Sequence, residues 1–166
     1  MKKFIICAVC AFCGLTTASA QKFGHINTQE IIQAMPEFNK AQKELEDLAK
    51  QYQADLQLMQ EEIQKKAEAF EKEEATLPDN IKQRRNQELQ ELYQKYQQNL
   101  QDNQQALGKA EQDKMGEVQA KMLEAVKAVG QEGGYIYIMQ VGSLPYLSTT
   151  LSTDVTAQVK AKLGLK

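Results

Sequence analysis

The chain has 166 residues with 20 Lys+Arg against 22 Asp+Glu, which leaves room for one ordinary domain. A single His (His25) and three Cys remove most routes to a zinc site, a histidine-based triad or a disulfide scaffold. With 7% aromatics, no Trp, three Pro and 23 Gln, the composition suits long solvated helices rather than a thick globular core.

Residues 1–20 read as a secretory signal peptide. Met1-Lys2-Lys3 is a basic start, Phe4 to Leu15 is apolar, and Ala18-Ser19-Ala20 is a small-x-small cleavage site. A membrane anchor would need about 18 apolar residues, more than this run offers, and no second candidate follows. Cys7, Cys10 and Cys13 all fall within the leader, so the exported chain from Gln21 carries no cysteine and must be held by packing or assembly. It retains 18 basic against 22 acidic residues, a net of −4. That balance argues against nucleic acid, which needs a basic face.

Phe23-Gly24-His25-Ile26 reads as a short strand. Asn27 is the predicted N-cap of a short helix, with Glu30 completing a capping box and Ile31, Ile32 and Met35 forming its apolar side. Pro36 ends that helix and suits the first position of the next.

From Glu37 to about Val129 the chain is rich in Gln, Glu and Lys, and Leu77-Pro78-Asp79-Asn80 is its only strong break. Two long helices with a tip near 77–81 are predicted. In the first, apolar residues stand at Leu45, Leu48, Tyr52, Leu56, Met59, Ile63, Ala67 and Phe70, spaced 3, 4, 4 in repetition. That is an eleven-residue repeat, about 3.67 per turn, which favours a nearly straight pairing over a left-handed supercoil. The second repeats the spacing through Leu89, Leu92, Tyr96, Leu100, Asn103, Leu107, Glu111, Lys114, Val118, Met122, Ala125 and Val129. Facing residues of an antiparallel hairpin have a constant sum of numbers, and Phe70/Leu89, Ile63/Tyr96, Leu56/Asn103 and Tyr52/Leu107 all give 159, as does Glu74/Arg85 nearer the tip. Gly108 and Gly116 each cost about 1 kcal/mol relative to Ala in a helix. They are equally readable as bending points and as tolerated exposed glycines.

Beyond Gly130 the composition changes. Gly133-Gly134 is a break, Tyr135 to Met139 a strand, and Gly142-Ser143 a turn into a second strand, Leu144 to Ser148. Ser152, Thr153 or Asp154 then caps a last helix with Val155, Val159 and Leu163 on one face. These elements are expected to pack with residues 21–36. The fold class is therefore α+β and mostly α, with a β-rich body (21–36 and 130–166) and a helical hairpin (37–129). A body of about fifty residues is marginal unless it oligomerises.

In this order, Phe23-Gly24-His25-Ile26-Asn27, the long charged hairpin, the strand Tyr135 to Met139 and Leu151-Ser152-Thr153-Asp154-Val155-Thr156-Ala157 resemble the Skp/OmpH family of periplasmic chaperones. The resemblance covers the whole exported chain. It implies a homotrimer whose helical tentacles surround a cavity and hold unfolded outer-membrane β-barrel proteins without ATP or any cofactor. On that reading Leu77, Ile81, Lys82, Arg84, Tyr93 and Met115 are candidate client contacts, and Phe23, Ile26, Ile136, Ile138, Val155 and Val159 belong to the oligomerisation body. Family members are strongly basic along the tentacles, whereas residues 37–129 here hold 14 Lys+Arg and 19 Asp+Glu, a net of −5. That departure weighs against lipopolysaccharide or anionic-membrane contact, although Lys82, Arg84 and Arg85 keep a basic cluster beside the tip.

Other readings carry less. His25 could sense pH, but a lone His between Phe23 and Ile26 suits a body residue. Glu71-Lys72-Glu73-Glu74 resembles a carboxylate pair, yet a solvated helix neither desolvates it nor fixes a substrate, so catalysis, metal sites and cofactors are not expected. A carboxylate hydrolase would need a concave site that an extended hairpin lacks. An envelope spacer or adaptor that binds one folded partner is the alternative function.

Overall fold

The computed structural model describes residues 21–165. The leader, its cleavage after Ala20 and the three cysteines lie outside the described residues. Strand β1 (Lys22–Ile26) leads into helix α1 (Thr28–Ala34), long helix α2 (Pro36–Glu73), a 3₁₀ turn (Glu74–Thr76) and long helix α3 (Asp79–Gly133). Strand β2 (Tyr135–Gln140), a 3₁₀ turn (Val141–Ser143), strand β3 (Ser152–Asp154) and helix α4 (Thr156–Lys162) complete the chain.

The helix starts follow local chemistry. Asn27 caps α1, its Oδ1 accepting from the Glu30 N–H at 3.2 Å. The capping box is only half formed, because the Glu30 carboxylate turns away to Lys160 at 2.6 Å and the Asn27 N–H donates instead to Thr156 Oγ1 at 3.0 Å. Pro36 stands in the first turn of α2, where its missing N–H costs nothing. At the far end α3 runs through Gly130, past the end expected from sequence, and stops at Gly134, whose φ of +66° is the left-handed C-terminal conformation that glycine adopts most readily.

Helices α2 and α3, of 38 and 55 residues, form the antiparallel hairpin. At 1.5 Å per residue they measure about 57 and 82 Å. Along α2 each seam position from Leu45 to Phe70 is buried or half-buried, and so are Leu89 to Leu107 on α3. The facing pair Ala41 and Val118 is buried and also sums to 159. Two expectations fail. Glu111 is exposed and Ala110 takes its place toward the partner, since an alanine completes the stripe without desolvating a carboxylate. Glu74 forms no ion pair with Arg85 among the described residues, because α2 ends at Glu73 and Glu74 enters the 3₁₀ turn.

Helix α3 is continuous through Gly108 and Gly116, and a Cβ built on either meets nothing within 4 Å. Gly108→Ala and Gly116→Ala should each raise stability by about 1 kcal/mol through helix propensity. Thermal melts followed by circular dichroism will read this, and a lower Tm for either variant would show that its glycine is needed for a bend.

The sheet has order β2-β1-β3, all parallel, with Phe23 opposite both Tyr137 and Ser152. The expected strand at Leu144–Ser148 is absent. Pro145 cannot donate to a ladder, and residues 144–148 run as irregular chain. The third strand is instead Ser152–Asp154, the segment read from sequence as a cap, and it joins β1 across more than a hundred residues. Gly24 and Ile26 face the helices, with Gly24 close against Ile138 and Tyr135, while Phe23 stacks on Tyr137 at 4.8 Å between ring centroids. The core collects Ile26, Ile31, Met35, Val155 and Val159 from the two ends of the chain and Val118, Met122, Ala125 and Val129 from α3. The base of the hairpin is therefore built into the body.

Candidate functional site

The segment Asp154-Val155-Thr156 locks the two ends of the chain together. Val155 is fully buried, and its N–H donates to the His25 carbonyl at 3.0 Å. By position Val155 is the N-cap residue of α4, yet the capping oxygen comes from Asp154, whose Oδ1 accepts the Thr156 N–H at 2.9 Å. The buried Thr156 hydroxyl accepts from Asn27. The Thr156 side chain and backbone hold the Asp154 carboxyl below its ordinary value, with a smaller contribution from His25. Because the folded value is depressed, this interaction stabilises fully above the unfolded carboxylate pKa and fades as pH falls through the folded one. Thr156→Val keeps the shape but strands the Asn27 N–H, and should cost about 2 kcal/mol in urea unfolding. A loss below a few tenths would mean that water replaces the hydroxyl. His25 is itself buried, with Nδ1 2.8 Å from Ser152 Oγ, so it ties β1 to β3 in the body.

Among the body residues, Ile26, Val155 and Val159 lie inside the chain's own core, and Phe23 and Ile138 are half-buried. Ile136 is 57% exposed, and it heads an exposed apolar run of Tyr137, Met139 and Val141 on and just after β2; Tyr146 and Leu151, in the segment that leads to β3 at the other edge of the sheet, are exposed as well. This run starts on β2, an edge strand whose outer N–H and C=O groups have no ladder partner in the sheet. Isolated exposed apolar residues are ordinary; a row of them on a free strand edge is not.

On the hairpin, Leu77, Ile81 and Lys82 are half-buried at the tip and Arg84 is exposed. Tyr93 is exposed on α3 about 18 Å further down, and Met115 is half-buried about 33 Å beyond Tyr93. The six candidates are thus distributed along the arm and form no single site. Among the described residues no group of His, Cys, Asp and Glu could hold a metal, and no helix is long and apolar enough to cross a membrane.

Three ion pairs cross between the helices, Glu37–Lys121, Glu44–Lys114 and Glu88–Lys66. The lysine beside each carboxylate holds its pKa below the ordinary 4.5. These contacts are complete above that pH and weaken as pH falls through the lowered values.

A groove of about 610 Å³ lies between the helices midway along the arm. It is bordered by Tyr52, Leu56, Tyr96 and Leu100 and by glutamines of both helices. The number of glutamines speaks only for solvated helices, but their placement says more, since Gln53, Gln57, Gln60 and Gln64 each stand one place after the seam residues Tyr52, Leu56, Met59 and Ile63.

Residues 22–163 match the family model described as outer membrane protein (OmpH-like). The chain is 24% identical over 164 residues to the chaperone protein Skp of Yersinia enterocolitica, covering 96% of this chain and all of that one. It is 26% identical over 128 residues to the Skp chaperone of Vibrio cholerae, covering 77% and 76% of the two chains. A crystal structure of an OmpH-like protein from Caulobacter crescentus superposes with a TM-score of 0.76 at 15% identity, covering 90% of this chain and 88% of that one, so the fold is shared. With the hairpin, the parallel sheet and the Asp154-Val155-Thr156 lock in place, the chain belongs to the OmpH/Skp family of chaperones, which are not enzymes.

Proposed function

We propose that this protein is an ATP-independent holdase that acts in the periplasm after removal of residues 1–20, keeping unfolded outer-membrane β-barrel proteins from aggregating. The observation that carries the reading is the combination of a small body, bearing an apolar strand edge, with a hairpin arm built from helices of 38 and 55 residues. Assembly of copies through β2 would bury Ile136, Tyr137 and their neighbours and set several arms around one space, as a homotrimer. A client enclosed there is held by many weak contacts, since confinement raises their effective concentration and removes the need for one deep pocket. The relatives named Skp support the chaperone class. The net charge of −5 on residues 37–129 points to client chains rather than anionic lipid as the cargo.

The test is to dilute a urea-unfolded outer-membrane barrel into the protein without nucleotide, while light scattering follows aggregation and mass analysis follows complexes. A trimer carrying one soluble client is the expected result. Unchanged aggregation would overturn the holdase reading and favour a spacer that binds a folded envelope partner.

A further inference from the structure

The two faces of the hairpin differ in kind. Counting about 100° per residue from the seam, Glu37, Glu44 and Glu88 fall on one face, where the three lysine pairs tie helix to helix. On that face Asn99 also reaches Met59 Sδ at 3.0 Å. The opposite face carries the glutamines that follow the seam by one residue, Gln60 and Gln64 on α2 and Gln97 and Gln104 on α3. Among the described residues no ion pair crosses between the helices there. The groove of about 610 Å³ opens on this side and continues toward the tip as a second hollow of about 360 Å³ that shares Gln60, Gln64 and Tyr96. The charged groups that line the two hollows are Glu61, Glu68 and Glu71, with no Lys or Arg. Glu61 accepts from Gln57 and Glu68 from Gln64, so two of the three carboxylates are held in place along the groove.

We propose that this continuous groove binds one extended, acid-poor polypeptide segment of about ten residues, a reading that rests on the holdase function and names what each arm grips. The length follows from geometry. From Ala49 to Glu71 the lining spans 22 helical steps, about 33 Å at 1.5 Å per step. An extended chain advances about 3.3 Å per residue, so about ten residues fill it. That is the length of one membrane-spanning β-strand, about 9–11 residues. The chemistry follows from the lining. A glutamine amide both donates and accepts, so a row of them satisfies the free N–H and C=O groups of a strand whose ladder partner has not yet arrived. The rings of Tyr52, Tyr93 and Tyr96 offer apolar faces to alternate side chains without demanding one sequence. The carboxylates, with no Lys or Arg beside them in the lining, disfavour acidic segments and anionic head groups and admit neutral or basic ones.

A photoactivatable cross-linker placed at Gln60, in the groove, and at Gln51, on the ion-paired face, compares two exposed glutamines of the same helix in the whole protein holding an unfolded outer-membrane barrel. Unchanged far-ultraviolet circular dichroism confirms that both variants fold. Cross-linking from Gln60 should exceed that from Gln51 at least fivefold. A neutral decapeptide of alternating Tyr and Thr should compete with the client, and the same peptide with Asp at each Thr should not. Equal yields from the two positions, or equal competition by the acidic peptide, overturn the groove while leaving the holdase reading standing. If the unmodified protein does not keep the client soluble in the same experiment, the holdase reading falls and the groove assignment with it.

Discussion

Ile31→Ala is expected to destabilise the body by about 3–4 kcal/mol, read as a drop in the urea midpoint with little change in the slope. Ile31 is 0% exposed at the centre of the cluster that joins α1 to α3 and α4. Three fewer methyl or methylene groups there forfeit their transfer energy, and the surrounding elements cannot close the cavity freely. Met35, Val155 and Val159 are equally buried, and each belongs to a different turn or helix end. A large effect is expected because this core is small. Val118, Met122, Ala125 and Val129 rise from α3 into the same cluster, so loosening Ile31 also loosens the root of the hairpin. The distal arm should respond less, since its contacts are its own seam. Hydrogen exchange should therefore show lost protection near Val118 to Val129 and in β1, with residues 85–105 nearly unchanged. Uniform loss along the whole arm would mean that hairpin and body unfold as one unit.

How much of this could be read from sequence depends on how far apart the interacting residues lie. The seam was legible because it is a local regularity: a helix repeats every 3.6 residues, and Leu45 to Phe70 obey that spacing without reference to anything distant. Antiparallel pairing then added one constraint, a constant sum, and the buried pair Ala41 and Val118 extends it to the base of the arm. Strand β3 was not legible in this way. Ser152–Asp154 is three residues long, has no alternation to detect, and is a strand only because β1 stands beside it. The same residues satisfied a familiar capping rule, and that rule was half right: Asp154 does supply the capping oxygen, but from one place before the N-cap. The groove was missed for a different reason. Gln is counted as polar and therefore solvated, yet its placement one step from the seam repeats the 3 and 4 spacing of the apolar residues, and that offset was visible throughout. Glu111 failed because a spacing rule has no term for the cost of burying a carboxylate beside a small residue that can take its place.

Ile136→Asp should abolish assembly while sparing the fold of the single chain. Ile136 is 57% exposed in the protomer, so the substitution removes little from its own core. In an assembled body joined through the β2 edge the same side chain becomes covered. Losing a buried isoleucine forfeits up to about 2 kcal/mol, and desolvating a carboxylate costs several more. At about 1.4 kcal/mol per tenfold, the two together weaken each contact by at least a thousandfold. Sedimentation should then give a monomer with unchanged far-ultraviolet circular dichroism. The consequence for activity separates two roles. A lone arm still carries its groove but encloses no space, so the monomer should still cross-link weakly to an unfolded client from Gln60, yet no longer keep it from aggregating. Tyr146→Asp is a useful companion: Tyr146 is 81% exposed but lies in the irregular chain after β2. If it dissociates the assembly as strongly as Ile136→Asp, the contact extends across that segment. An Ile136→Asp variant that stays assembled and protects its client would place the contact between copies elsewhere than the β2 edge.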